Sequence, residues 1–123
     1  MIRLAVVDDH AAVRFSFSDF LGAHESIEVV AEAANGRDAV ELCRTNGPDV
    51  VLMDVRMPVM DGIEATRLIK SISPATRVIL VSAYDQKELV ESALRAGADL
   101  FVLKGVSGAE LAGHVHEVAA CAA

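Results

Sequence analysis

Four short runs of consecutive apolar residues recur along the chain, and they constrain its fold more than any other feature. The runs span residues 4–7, 50–53, 78–81 and 100–103, and they are rich in valine, isoleucine and leucine. Unbroken apolar runs of this length are typical of strands buried on both faces of a parallel sheet. A weaker run over residues 27–31 is interrupted by Glu28, so we expect a fifth strand at an edge of the sheet.

Helical patterns fill the segments between the predicted strands. Val13, Phe17, Phe20 and Leu21 share one face of a first helix. Four further helices are predicted to begin near polar residues that cap helix N-termini, namely Asn35, Asp61, Asp85 and Ser107. Gly97 is expected to end the fourth helix in a left-handed conformation. Strands and helices therefore alternate five times, which predicts right-handed crossovers and a three-layer α/β sandwich in one domain.

Composition excludes several classes of protein. The 123 residues are 53% hydrophobic, and 11 basic against 18 acidic residues give a net charge of −7. A chain with this balance is a poor direct partner for nucleic acid, which needs a basic face. No segment resembles a signal peptide, and the longest apolar run, over residues 118–123, is too short to span a membrane. Cys43 and Cys121 show no metal-binding spacing, so we expect a reduced, cytoplasmic protein.

A polar side chain stands at the end of each of the four strong strands. Asp8 and Asp9 follow the first, Asp54 follows the second, and Ser82 and Lys104 follow the last two. Equivalent ends of parallel strands lie at one edge of a sheet, where ligands bind, so we expect these side chains to converge. Two carboxylates ~4 Å apart repel by roughly 4 kcal/mol at an effective dielectric constant of ~20. A divalent cation would offset this repulsion, and oxygen ligands favour Mg²⁺ over Zn²⁺.

Four segments of the sequence resemble the receiver domain of bacterial two-component response regulators. They are Asp8-Asp9, the stretch from Met53 to Pro58 with Asp61-Gly62, Ser82-Ala83, and the stretch from Phe101 to Lys104. Residues 7–10 and 104–107 further resemble the subgroup that carries a LuxR-type helix-turn-helix output domain. The resemblance implies a flavodoxin-like (βα)5 fold with strand order 2-1-3-4-5. It also implies a receiver domain over residues 1–123, with the DNA-binding output domain absent from this chain.

The same resemblance implies a phosphoaccepting switch rather than an enzyme that turns over an external substrate. A sensor histidine kinase, or a small phosphodonor, would phosphorylate Asp54 with the help of Mg²⁺. The implied metal ligands are Asp9, Asp54, the backbone carbonyl of Arg56 and, through water, Asp8. Lys104 and the backbone N–H of Ala83 would bind the phosphoryl oxygens.

Further residues are assigned to the switch, the phosphoryl lifetime and the kinase contact. Ser82 would turn its hydroxyl to the phosphoryl group, and Phe101 would turn inward, altering the face made by the fourth helix, fifth strand and fifth helix. Phe101 departs from the commoner tyrosine and has no hydroxyl to hold either position. Bulky side chains at Arg56 and Tyr84 would flank the path of attacking water and slow hydrolysis. Part of the kinase contact is assigned to the first helix, at Phe15, Arg14 and Ser18.

Two other functions are compatible with the sequence. One is a pseudo-receiver that keeps the fold as a binding module without phosphorylation. The other is a small Mg²⁺-dependent aspartyl-phosphate phosphatase, although that family carries a second acid where this chain has Arg56. A homodimer is also left open, with the first, fourth and fifth helices as candidate surfaces. Among the remaining polar residues, His10 is interpreted as a solvated loop residue and Asp99 as a turn residue.

Overall fold

Five strands and five helices alternate along the chain, as the sequence predicts. A computed structural model describes residues 1–120, and Cys121 lies outside the described residues. The strands are β1 (Ile2–Val7), β2 (Ile27–Ala33), β3 (Val50–Asp54), β4 (Arg77–Ser82) and β5 (Leu100–Leu103). The helices are α1 (Ala11–Gly22), α2 (Gly36–Asn46), α3 (Gly62–Ile72), α4 (Lys87–Arg95) and α5 (Gly108–Ala120).

The strands form one parallel sheet in the order β2-β1-β3-β4-β5, which confirms the expected order and the edge position of β2. The register brings the carboxyl ends of four strands to the same level. Val7 of β1 pairs with Met53 of β3, one residue before the aspartate that ends β3. Ser82 of β4 pairs with Leu103 of β5 in the same way. The residues at and just after these ends therefore lie along one edge of the sheet.

Two apolar cores cover the two faces of the sheet. Ala5 and Val7 of β1 belong to the core that also contains residues of α2, α3 and α4. Leu4 and Val6 belong to the core shared with α1 and α5. Successive side chains of a strand point to opposite faces, so a strand with helices on both sides needs apolar residues at every position. All five residues of β3 are buried, and each large apolar side chain buried in this way contributes roughly 1.5–3 kcal/mol.

Three of the predicted helix caps are present and one is wrong. The side chains of Asn35 and Asp61 accept hydrogen bonds at 2.9 Å from the backbone N–H three residues on, and Ser107 does the same at 3.1 Å. Asp85 does not cap α4, which begins two residues later with Gln86 in the capping position and no side-chain cap. The loop after β4 is thus longer than predicted, and the backbone carbonyl of Gln86 accepts the first helical hydrogen bond at 3.0 Å.

Two residues predicted to share one face of α1, Phe20 and Leu21, differ in burial. Leu21 is fully buried, whereas Phe20 is 44% exposed. The Phe20 ring lies against the backbone of Gly108 at the start of α5, where an added Cβ would come within 2.5 Å of the ring. Phe20 therefore packs against the start of α5.

Asp99 is more than a turn residue. Its carboxylate accepts hydrogen bonds at 2.8 Å from both Lys70 Nζ and the backbone N–H of Val78. Lys70 also donates to the carbonyl of Thr76 at 2.7 Å. This cluster ties α3 to the start of β4 and to the turn before β5, at the end of the sheet opposite the polar edge.

Two smaller expectations are confirmed in the α2 and α4 regions. Cys43 is buried in α2, and burial raises the pKa of its thiol to about 11. Gly97 has a φ of +108°, which lets the chain turn sharply after α4. Within residues 1–120, no helix is both long enough and apolar enough to cross a membrane.

Candidate functional site

The end of β1 carries two acids with different surroundings. The backbone N–H of Asp8 donates to the carbonyl of Ala33 at 3.1 Å, which continues the β1–β2 pairing past the strand. This places the Asp8 side chain under the loop, where it is 1% exposed. Asp9 is one residue further out and 26% exposed. The first acid is therefore buried and the second partly exposed because of where the strand ends.

Asp54 is the last residue of β3, and its side chain is only 7% exposed. Lys104 reaches it from the end of β5, with Nζ 3.4 Å from Asp54 Oδ2 and 3.2 Å from Asp8 Oδ2. The backbone N–H of Lys104 donates to the carbonyl of Ser82 at 2.8 Å, which fixes the lysine beside the end of β4. The structure thus brings together all five strand-end residues that the sequence pointed to.

The acids are crowded, and this affects Asp54 in particular. Its pKa is raised above its ordinary value of 3.8, first by burial and then by the negative charge of Asp8. The ammonium group of Lys104 acts in the opposite direction and lowers the Asp54 pKa without cancelling the rise. One cation therefore does not compensate three neighbouring carboxyl groups.

A metal ion fits this group of residues. Single ligand atoms of Asp8, Asp9, His10 and Asp54 all lie within 4.8 Å of one another. Two buried carboxylate oxygens, Asp8 Oδ2 and Asp9 Oδ1, accept no hydrogen bond from residues 1–120, although Lys104 Nζ and His10 Nδ1 respectively lie 3.2 Å from them. A buried acceptor without a donor is expected to bind water or an ion. The acidic cluster is accordingly compatible with Mg²⁺, which prefers oxygen ligands.

The cavity above Asp54 has a volume of about 150 Å³, and its walls include most of the predicted phosphoryl-site residues. They are Asp54, Arg56, Ser82, Ala83, Tyr84 and Lys104, together with His10. The Arg56 guanidinium lies 5.1 Å from the centre of the Tyr84 ring, within the range of a cation–π contact. The two residues predicted to flank the water path therefore touch each other at the rim of the cavity.

Ser82 is buried, and its hydroxyl oxygen accepts a hydrogen bond from the backbone N–H of Tyr84 at 3.0 Å. Phe101 is half-buried and packs against the core shared with α2, α3 and α4. It also lines a groove on the face of α4, β5 and α5, beside Val90, Leu103 and Val106. Phe101 thus lies between the interior and the surface on which a switch would be read.

The three α1 residues assigned to a kinase contact have different environments. Phe15 is 60% exposed. Arg14 is anchored, with hydrogen bonds to the carbonyl of Asp8 at 2.8 Å and to Glu32 at 3.1 Å. Ser18 is half-buried, and its hydroxyl has no hydrogen-bond partner among residues 1–120.

His10 is the site residue that the sequence analysis missed. Its side chain is 69% exposed, as a solvated loop residue would be, but its Nδ1 lies 3.2 Å from Asp9 Oδ1 and 3.4 Å from Asp8 Oδ1. Its backbone N–H also donates to Asp8 Oδ1 at 2.9 Å. The signal available in the sequence was its position directly after the acidic pair.

Comparison with known proteins agrees with this geometry. Residues 4–116 match the family model of the response regulator receiver domain. Over 116 residues the chain is 39% identical to the response regulator protein VraR of Staphylococcus epidermidis. The aligned region covers 94% of this chain and 56% of that protein. The chain therefore spans only a little over half the length of such curated relatives.

Two solved structures share the fold closely. The signal receiver domain of the response regulator NarL from Mycobacterium tuberculosis has a TM-score of 0.94 and 38% identity, over 98% of this chain and 97% of that one. A LuxR-family two-component response regulator from Aurantimonas sp. SI85-9A1 has a TM-score of 0.92 and 34% identity, over 98% of this chain and 86% of that one. With an acidic pocket built from the matching motifs, this chain belongs to the receiver domain family of two-component response regulators.

Proposed function

We propose that Asp54 is the residue that accepts the phosphoryl group, and that Mg²⁺ supports the transfer. The observation that carries this proposal is the cavity that Asp54 shares with Ser82 and Lys104. The Asp54 carboxylate is almost fully buried, yet it opens onto a space of about 150 Å³. A nucleophile, a cationic group and a hydroxyl at one cavity are the groups that phosphoryl transfer to a carboxylate needs.

Each residue of the pocket has a role in this proposal. Asp9, Asp54 and the backbone carbonyl of Arg56 would hold the metal directly, and Asp8 would hold it through water. Bound Mg²⁺ would offset the negative charge of the acids and of the phosphoryl donor. Lys104 would pair with a phosphoryl oxygen, and the backbone N–H of Ala83 would donate to another.

The transfer itself leaves little covalent work to the protein. A carboxylate oxygen of Asp54 attacks phosphorus while the P–N bond of a phosphohistidine breaks, and the imidazole then takes a proton from solvent. The product is an acyl phosphate on Asp54. Burial of Asp54 keeps its carboxylate in one position. Lys104 Nζ lies 3.4 Å from Asp54 Oδ2, close enough to stabilise the negative charge that develops during the transfer.

Incubation with Mg²⁺ and acetyl phosphate, read by intact mass, tests the proposal. The expected result is a gain of one phosphoryl group that is lost in Asp54→Asn and retained in Asp85→Asn, an exposed acid in the loop after β4. No gain with acetyl phosphate or with a phosphorylated histidine kinase would instead favour the pseudo-receiver. Sustained hydrolysis of external phosphate esters would favour the phosphatase.

The switch is proposed to run through Ser82 and the loop that follows it. If the Ser82 hydroxyl turns toward a phosphoryl oxygen, its hydrogen bond from the Tyr84 N–H at 3.0 Å must break. The loop leading into α4 is then free to move, and Phe101 turns inward beside it. Ser82→Ala should still be phosphorylated but should lose the change in hydrogen exchange across α4, β5 and α5. Retention of that change would remove Ser82 from the switch.

The Arg56–Tyr84 contact is proposed to lengthen the life of the phosphorylated state. Both side chains are exposed at the cavity rim, and together they cover the side from which water would approach. Arg56→Asn combined with Tyr84→Ala should shorten the phosphorylated half-life, whereas Arg67→Asn on α3 should leave it unchanged. An unaltered half-life in the double variant would contradict this role.

The sensor kinase is proposed to contact α1 around Phe15. Phe15 is a large exposed apolar side chain beside the anchored Arg14, 5.4 Å from its guanidinium, so the ring is held in a defined place. Phe15→Ala should slow phosphotransfer from the cognate kinase and leave phosphorylation by acetyl phosphate unchanged. Equal loss with both donors would mean that Phe15 serves folding instead.

The wider setting is also a proposal. Since the chain covers only 56% of VraR, and a LuxR-family regulator is among its structural neighbours, we propose that residues 1–123 are the receiver part of a cytoplasmic transcriptional regulator. DNA would then be bound only by an output domain outside this chain, and a homodimer would form on phosphorylation. Sedimentation of the chain with and without phosphorylation tests the dimer. A gel shift of the full-length gene product tests the DNA-binding output.

A further inference from the structure

The acidic pocket contains a nitrogen ligand that a pure magnesium site does not need. His10 Nδ1 lies 3.2 Å from Asp9 Oδ1 and 3.4 Å from Asp8 Oδ1. Four ligands placed ~2.05 Å from a zinc ion at the corners of a tetrahedron lie about 3.3 Å from one another. The imidazole nitrogen thus lies at a ligand-to-ligand distance from each of the two carboxylate oxygens.

Two carboxylate oxygens beside His10 have no hydrogen-bond partner among residues 1–120. Asp8 is 1% exposed, and its Oδ2 accepts no hydrogen bond although Lys104 Nζ lies 3.2 Å away. Asp9 Oδ1, the atom nearest the imidazole, is buried and also accepts no hydrogen bond. Asp54 supplies a further oxygen within 4.8 Å of the other ligand atoms.

We propose that His10 makes this pocket a site for zinc-class transition metals, with Nδ1 binding the ion beside Asp9, Asp8 and Asp54. Imidazole binds Zn²⁺, Co²⁺ and Ni²⁺ well and contributes little to Mg²⁺, which takes oxygen ligands. His10 therefore sets which metal occupies the pocket, and a transition metal competes there with Mg²⁺. The inference rests on the pocket of the proposed function, but it concerns metal choice and not phosphorylation.

The position of His10 suits this role. It precedes α1 with an extended backbone, and its side chain caps no helix N–H. The ring is therefore not engaged in capping α1, and its Nδ1 already faces Asp8 and Asp9. Its 69% exposure leaves an open path by which a hydrated ion can reach the acids.

Binding titrations of the metals alone test the proposal without any phosphodonor. Affinities for Zn²⁺ and Mg²⁺ would be measured by calorimetry, and Co²⁺ binding by its visible absorption, which intensifies in four-coordinate nitrogen–oxygen sites. The variants are His10→Ala and, as a matched control, His24→Ala just beyond the other end of α1. All are made with Cys121→Ser, so that a thiolate does not add a ligand.

We expect His10→Ala to weaken Zn²⁺ and Co²⁺ binding by about tenfold or more and to change Mg²⁺ affinity less than about twofold. His24→Ala should change none of these affinities. Unchanged Zn²⁺ binding in His10→Ala, or an equal loss for Zn²⁺ and Mg²⁺, would overturn the proposal and leave His10 as a hydrogen-bond partner of the acids. Loss of acetyl-phosphate labelling alone would count against Asp54 as the acceptor and not against this metal site.

Discussion

Replacing Asp9 by asparagine should stabilise the metal-free protein. Ligand atoms of Asp9, Asp8 and Asp54 lie within 4.8 Å of one another, where two unit charges repel by about 3.5 kcal/mol at an effective dielectric constant near 20. Lys104 offsets the charges of Asp8 at 3.2 Å and Asp54 at 3.4 Å. Among residues 1–120, Asp9 has no lysine or arginine within ion-pair distance and is paired only with His10, at 3.2 Å. Its removal therefore relieves repulsion while sacrificing little attraction.

The expected size of the effect is smaller than the Coulomb energy. The Asp9 side chain is 26% exposed, and solvent and salt screen part of the repulsion, so we expect a net gain of about 1–2 kcal/mol. In a domain of about this size, about 1 kcal/mol raises the melting midpoint by roughly 4 °C. In EDTA at low ionic strength and neutral pH, Asp9→Asn should thus melt roughly 4–8 °C above the wild type.

The assay is thermal unfolding followed by circular dichroism, with two comparison variants. Asp19→Asn removes the same charge from an exposed position on α1, so it measures the effect of net charge alone. Asp8→Asn should gain less than Asp9→Asn, because it also loses the ion pair with Lys104. Added Mg²⁺ should raise the wild-type midpoint more than that of Asp9→Asn, since only the intact site binds the ion tightly. The reasoning is refuted if Asp9→Asn melts no higher than Asp19→Asn in EDTA.

Burial and ion pairing give three more expected outcomes. The raised pKa of Asp54 means that the folded state retains a proton that the unfolded state loses above 3.8, so in EDTA the wild type should lose stability relative to Asp54→Asn as the pH rises from about 4 toward neutral. The same reasoning applies to Cys43, whose pKa is about 11 against an ordinary value of 9.0. Stability should therefore fall from pH 9 to 11, and Cys43→Ala should abolish this loss, as measured by urea denaturation. Asp99→Ala should destabilise by about 1–3 kcal/mol, because the Val78 N–H loses its acceptor and Lys70 loses its ion pair, while Asp99→Asn should lose less; urea midpoints decide between them.

The fold and the acidic core of the site could be predicted because each depends on short stretches of sequence. A run of four apolar residues rich in β-branched side chains is typical of a doubly covered strand, and the acids directly follow two of these runs. Parallel pairing of the strands then brings residues 8, 54, 82 and 104 to one edge of the sheet, whatever the conformation of the loops.

The features that could not be predicted depend on contacts between distant parts of the chain. Phe20 of α1 packs against Gly108 at the start of α5, which lies far along the chain. The Arg56–Tyr84 contact joins two loops whose shapes no local pattern specifies. His10 was interpreted as a solvated residue, and its side chain is indeed exposed. The same side chain also lies close to the acids, because it folds back over the residues that precede it.

The loop after Asp54 shows how such distant contacts build the site. The backbone N–H of Gly36, at the start of α2, donates to the carbonyl of Met60 at 2.9 Å, and a Cβ there would lie 2.4 Å from that oxygen. The N–H of Gly62 donates to the carbonyl of Val55 at 2.7 Å, and a Cβ there would lie 2.3 Å from the carbonyl oxygen of Asp54. Only residues without a side chain permit these approaches, so both ends of the loop are held by backbone.

The anchored loop contains one residue with a strained backbone conformation, Val59. Val59 lies in the middle of the loop with φ +71° and is 73% exposed. A β-branched residue in that conformation costs about 1–3 kcal/mol and persists only where its surroundings leave no alternative. The backbone N–H of Met60 donates to the carbonyl of Pro58 at 2.7 Å, which closes a tight turn around Val59 between the two anchored ends of the loop. Strain at Val59 is therefore a consequence of the anchored loop that, in the proposed function, would supply the Arg56 carbonyl as a metal ligand beside Asp54.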